Sequence, residues 1–163
     1  MAFQFDAESI FEIGVQIEKN GRTFYSAVAG ETSDEAMQTL FHELAEWEEQ
    51  HIEIFRALQA SLPESAEEAH LLFDPNDEFF SYLQAAADSH VFVASTDIVA
   101  LARQCTSPGA ALEMALTFEK DSVVYYTTMK KVVPEHLGRE KIDLLIDEEL
   151  KHISILNTKK KQL

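Results

Sequence analysis

Two stretches decide the fold: Leu44-Ala45-Glu46-Trp47-Glu48-Glu49-Gln50-His51-Ile52-Glu53-Ile54 and, 101 residues further on, Leu145-Ile146-Asp147-Glu148-Glu149-Leu150-Lys151-His152-Ile153-Ser154-Ile155. Leu, Glu, His, Ile and Ile recur at matched positions. Side chains three, four or seven apart share one face of a helix. Glu48 and His51 therefore lie on the same stripe as Phe41, Leu44, Ile52 and Phe55. Glu149 and His152 share theirs with Ile142, Leu145 and Leu156. Each stripe is apolar enough to face a core, yet each carries a carboxylate and an imidazole near its middle.

The same shift aligns the helices that precede these stretches. Glu12 falls on Glu113, Glu18 on Glu119, Lys19 on Lys120 and Tyr25 on Tyr126. The register runs without a gap, and in each half the first glutamate precedes the second by 30 residues. A bland repeat of helical hairpins would keep the apolar residues. This one also keeps Glu, Tyr and His.

The wider pattern is all-α. One long helix is expected over about 6–28, capped by Asp6 and ended by Gly30 and Thr32. A second is expected over about 33–62, opened by a capping box in Thr32-Ser33-Asp34-Glu35 and stopped by Pro63. Short helices are expected over about 77–88 and 95–105. A third long helix starts at Ser107-Pro108 and runs to about 133. After Pro134 and Gly138, a fourth runs to about 157. Short turns make each pair antiparallel, and more than forty residues separate the pairs. The fold expected is thus an antiparallel four-helix bundle: a hairpin over about 6–62, a long crossover over about 63–106, and a hairpin over about 107–157.

Glu18 lies on a stripe with Phe11, Gly14, Val15 and Tyr25, and Glu119 on one with Leu112, Ala115, Leu116 and Tyr126. An unpaired carboxylate in a core costs several kcal/mol or is forced neutral. Two divalent cations would cancel the charges of Glu18, Glu48, Glu119 and Glu149, and His51 and His152 would complete the site. One Glu from each of two helices plus Glu-x-x-His from each of two others is the ligand set of di-iron carboxylate bundles. Mixed carboxylate and imidazole donors suit Fe or Mn better than Ca or structural Zn. The expected cofactor is two iron ions per chain, with Mn or Zn as substitutes. The competing reading of the six residues is buried ion pairs or solvated faces.

A third Glu-x-x-His, Glu67 to His70, follows Pro63 in a polar segment and is expected to be plain surface. Tyr25 and Tyr126 are assigned either to hydrogen bonds on ligand carboxylates of a neighbouring helix or to core packing with a wet tip. Glu12, Glu113, Glu46 and Asp147 lie off the metal stripe, as surface or supporting groups. His42, His90 and His136 are expected to be surface or boundary residues. The Lys159-Lys160-Lys161 run is expected to complement a helix C-terminus or to fray.

Composition narrows the function. The 163 residues are 46% hydrophobic, which suits one domain with a sizeable core. Five Gly and four Pro are too few for a turn-rich β protein. A net charge of −16 repels nucleic acid. The single cysteine, Cys105, excludes an intramolecular disulfide and any four-cysteine metal site, and suits a reducing compartment. With no signal pattern at Met1 and no apolar run long enough to span a bilayer, a cytoplasmic protein without membrane contact is expected.

The runs Ile17-Glu18-Lys19-Asn20-Gly21-Arg22-Thr23-Phe24-Tyr25 and Glu48-Glu49-Gln50-His51 resemble the first hairpin of rubrerythrins, within the ferritin-like superfamily. Phe118-Glu119-Lys120-Asp121-Ser122-Val123-Val124-Tyr125-Tyr126 and Glu148-Glu149-Leu150-Lys151-His152 resemble the second. The resemblance implies one ferritin-like domain over 1–163 with a di-iron site. That site would react with hydrogen peroxide or O2 and cycle between ferrous and ferric states. Two departures stand out. Typical rubrerythrins carry a C-terminal rubredoxin domain, whereas this chain ends at Leu163, so a separate electron-donor protein is expected. Typical members also have a glutamate three residues after the ligand of the third helix. That position is Ser122, with Gly21 as its counterpart, so the site is more symmetric and closer to ferritin and bacterioferritin ferroxidase centres.

A di-iron oxidoreductase of peroxidase or ferroxidase type is the first expectation, iron storage or delivery the second, and a metal-dependent structural or sensing module the third. Long helices packed in pairs suggest a homo-oligomer, a dimer or larger.

Overall fold

A computed structural model describes residues 7–64, 78–90 and 97–163 of the chain. Among these residues the regular structure is all helical. Helix α1 spans Ala7–Glu31, α2 Glu35–Ala60, α3 Glu78–Ser89, α4 Ile98–Arg103, α5 Pro108–Val132 and α6 Arg139–Lys160, with a 3-10 turn at Glu135–Leu137. Helix α1 packs along α2 and α5 along α6, while α1 also meets α5 and α2 meets α6. Two antiparallel hairpins thus form the expected bundle, joined by a crossover with short helices. Helix α3 lies against α5 and α4 against α1.

The apolar stripes account for this arrangement. On α1 the buried residues include Ile10, Phe11, Gly14, Val15, Glu18, Gly21 and Tyr25, a spacing of three and four. Phe24, Phe41, Phe55, Phe118 and Tyr125 join them as large, fully buried side chains. Each such burial contributes about 1.5–3 kcal/mol. Gly21 has a packing reason for lacking a side chain. A Cβ there would sit 2.6 Å from the Phe118 ring and 3.3 Å from the Glu48 carboxyl carbon. Gly138, at φ 94°, supplies the left-handed residue that turns the chain into α6.

Several helix ends differ from the sequence expectation. Helix α1 continues through Gly30 to Glu31, and Thr32 N still donates to Val28 O. The cap of α2 is Asp34 rather than Thr32 or Ser33, because its carboxylate accepts from both Ala36 N and Met37 N. Ser107 caps α5 by accepting from Ala110 N, with Pro108 at the first position, as expected. Helix α6 runs past Asn157 to Lys160, whose ammonium pairs with Glu113 across the hairpin. The proposed Asp6 cap, the helix starts at 77 and 95, and the Glu67/His70 pair lie outside the described residues. No helix among the described residues is long and apolar enough to cross a membrane.

Candidate metal centre

The bundle brings Glu18 of α1, Glu48 and His51 of α2, Glu119 of α5, and Glu149 and His152 of α6 together in its core. The four glutamates and His51 have no exposed surface, and His152 has 4%. Ligand atoms of Glu18, Glu48, His51 and Glu149 lie within 4.8 Å of one another. So do those of Glu48, Glu119, Glu149 and His152. Glu48 and Glu149 belong to both groups. The arrangement is two adjoining positions sharing two carboxylates, each completed by one further glutamate and one histidine.

Both imidazoles turn Nδ1 inward. His51 Nδ1 is 3.1 Å from Glu149 Oε1 and 3.4 Å from Glu18 Oε2. His152 Nδ1 is 3.1 Å from Glu149 Oε2 and 3.5 Å from Glu119 Oε2. These contacts do not satisfy the cluster. Among the described residues, the buried side-chain N and O atoms without a hydrogen-bond partner are Glu18 Oε2, both oxygens of Glu48, His51 Nδ1, Glu119 Oε2 and Glu149 Oε1. Although close, His51 Nδ1 and Glu149 Oε1 are out of line for a hydrogen bond. A folded core rarely leaves polar atoms orphaned, and here they converge on one spot. Four carboxylates, two imidazoles and a formal charge of −4 fit two divalent cations of the Fe or Mn type.

Protons carry the balancing charge otherwise. Burial, then the charge of Glu18, pushes the Glu48 carboxyl well above the usual carboxylate range. Burial and the charge of Glu149 do the same to Glu119. Burial opposes charge on Glu149 too, but His51 and contacts from Glu119 and His152 outweigh it and hold this carboxyl low. Burial opposes charge on the histidines as well. The carboxylates outweigh it, taking His51 well above its ordinary value and His152 to about 9.

The tyrosines bind the cluster crosswise. Tyr25 of α1 donates its hydroxyl to Glu119 Oε1 of α5 at 2.5 Å. Tyr126 of α5 donates to Glu18 Oε1 of α1. Burial, then the nearby carboxylates, drives both phenols well above 10 and keeps them as donors. Of the two roles open from sequence, the hydrogen bond to a neighbouring helix's carboxylate is the one seen.

The residues set aside divide. Glu12, Glu46, Glu113 and Asp147 are exposed, as are His42 and His136. Glu12 accepts from Gln59, and Glu113 pairs with Lys160, at matched positions of the repeat. His90 is a correction. It is fully buried, within 3.1 Å of Ser122 Oγ, with its ring edge-on to Phe118, and burial lowers its imidazole to about 4. Position 122 thus faces an imidazole delivered from the crossover. Sequence reading also passed over Trp47 and Glu148. Trp47 stacks on His152 at 4.8 Å, and His51 Nε2 donates to Glu148 Oε2 at 2.8 Å.

No protein-family model and no curated protein matches the chain. Among solved structures it is similar to a protein of Thermotoga maritima, crystallised as a candidate ferritin-like diiron-carboxylate protein. The TM-score is 0.65 at 21% identity, over 96% of this chain and 95% of that one. The fold is ferritin-like. At 21% identity the likeness speaks for the path of the helices, and the six clustered side chains are a property of this chain's own sequence.

Proposed function

We propose that this chain is a di-iron oxidoreductase of the rubrerythrin-like type, whose ferrous form reduces hydrogen peroxide or O2. One observation carries the reading: two adjoining four-residue groups share Glu48 and Glu149 and turn their unpartnered ligand atoms inward. Glu18 and His51 would hold one iron and Glu119 and His152 the other, with both shared carboxylates reaching each. A bound pair of irons supplies two electrons at neighbouring positions, matching the two-electron reduction of a peroxide O–O bond.

The protein's own share is positioning and screening. Tyr25 and Tyr126 fix the carboxylate oxygens of Glu119 and Glu18 that face away from the cluster. Phe118 fills the space over Gly21, and Phe55 packs against Tyr126, which keeps bulk water from the carboxylates. Electrons would come from a donor outside these 163 residues, whose one cysteine cannot build a four-cysteine iron site.

The test is anaerobic Fe(II) loading of metal-free protein, followed by a pulse of peroxide or of O2 with absorbance followed in the near ultraviolet. A fast ferric absorbance and repeated turnover with a reductant support the oxidoreductase. Faster reaction with peroxide favours the peroxidase, and faster reaction with O2 the ferroxidase. Ferrous protein inert to both refutes the proposal.

A further inference from the structure

The repeat that matches Glu48 with Glu149 and His51 with His152 breaks at the neighbouring position, where Trp47 falls on Glu148. Both side chains reach across the α2–α6 interface to the histidine of the other helix. Glu148 accepts from His51 Nε2 at 2.8 Å. Trp47 lies flat on His152, with ring centroids 4.8 Å apart and planes 11° from parallel. The two imidazoles stack in turn, 5.4 Å apart and 17° from parallel. One histidine is thus backed by a carboxylate and the other by an indole.

These backings differ in chemistry. A carboxylate that accepts from the outer nitrogen of a histidine fixes the ring and its tautomer. It also makes the inner nitrogen a stronger donor, worth about 10–100-fold in metal affinity. An indole can hold a ring by stacking, but its N–H only donates and cannot take a proton from imidazole. We propose that Glu148 and Trp47 make the two metal positions inequivalent, so that the Glu18/His51 position fills first and the Glu119/His152 position second. Glu148 is here a positioning residue, acting through His51. The inference rests on the two-metal reading of the core, and its test separates the two.

Trp47 is the single tryptophan of the chain, so its emission reports on the ring of His152. Zn(II) is the probe, titrated into the metal-free full chain with calorimetry and tryptophan emission read together. The expected result is two binding steps, with little change in Trp47 emission over the first equivalent and most of it over the second. In Glu148→Ala the first step weakens about 10–100-fold, the two steps merge, and the emission change begins with the first equivalent. Glu148→Gln keeps a neutral acceptor and falls between the two. Two Zn(II) per chain bound in the same two steps with and without Glu148 overturns the inference and leaves the metal centre standing. An emission change complete within the first equivalent of wild-type protein also overturns it. No Zn(II) binding by the folded chain removes both.

Discussion

Replacing Glu48 with glutamine should raise the stability of the metal-free protein and remove most of its response to metal. Glu48 is fully buried, both of its oxygens lack a hydrogen-bond partner, and Glu18, Glu119 and Glu149 crowd it with like charge. An amide of the same shape stays neutral without taking up a proton and brings two N–H donors into reach of carboxylate oxygens. Relieving an unsatisfied buried group is worth about 1–3 kcal/mol. In a chain of 163 residues each kcal/mol moves Tm by about 2–4 °C, so the variant should melt about 2–12 °C higher without metal. Metal reverses the order. At a free concentration 100 times Kd each position contributes about 2.7 kcal/mol, so two positions raise the wild-type Tm by about 10–20 °C. Glu48 belongs to both positions, so its loss should cut most of that shift rather than half. Thermal melts of both proteins, with and without Mn(II) or Zn(II), give all four values. A less stable metal-free variant that keeps the full metal shift would show that Glu48 is a structural ion-pair member, and the reasoning would fail.

Three further outcomes follow from the same geometry. Glu18→Gln removes a ligand of one position only, so metal bound per chain should fall from two towards one by elemental analysis while the fold persists by circular dichroism. Gly21→Ala places a Cβ 2.6 Å from Phe118, and overpacking of this kind should cost about 1–3 kcal/mol in denaturant unfolding. Metal-free stability should fall as pH rises from 6.5 towards 9. His152 is raised to about 9 in the fold, so its stabilising proton is fully held below its ordinary value and lost as pH climbs through the raised one. Loaded protein, whose histidines would hold metal instead, should show a flatter melt profile over that range.

Much of this was legible in the sequence because the information is periodic. The spacing of Phe11, Val15 and Glu18, or of Leu145, Glu149 and His152, is a local signal, and packing preserved it. The shift of 101 residues marked the same six side chains that the bundle gathers. Helix ends were less legible. Gly30 is a weak stop, since the helix runs on to Glu31, which pairs with Arg103 of α4, and three capping residues in a row compete until one carboxylate takes the free N–H groups. The roles of Trp47 and Glu148 were hidden because they break the repeat, and only the approach of α2 to α6 gives each a partner. His90 was misjudged for a related reason. No local spacing announces its burial, and it meets Ser122 and Phe118 because α3 packs on α5.

The most direct test of the central claim is the stoichiometry of anaerobic Fe(II) binding to the metal-free chain. The shared carboxylates predict saturation at two irons per chain, with binding lost in both Glu48→Ala and Glu149→Ala. One iron or none, or two irons unchanged in those variants, would mean that the buried glutamates and histidines are a structural cluster and that no two-metal centre exists.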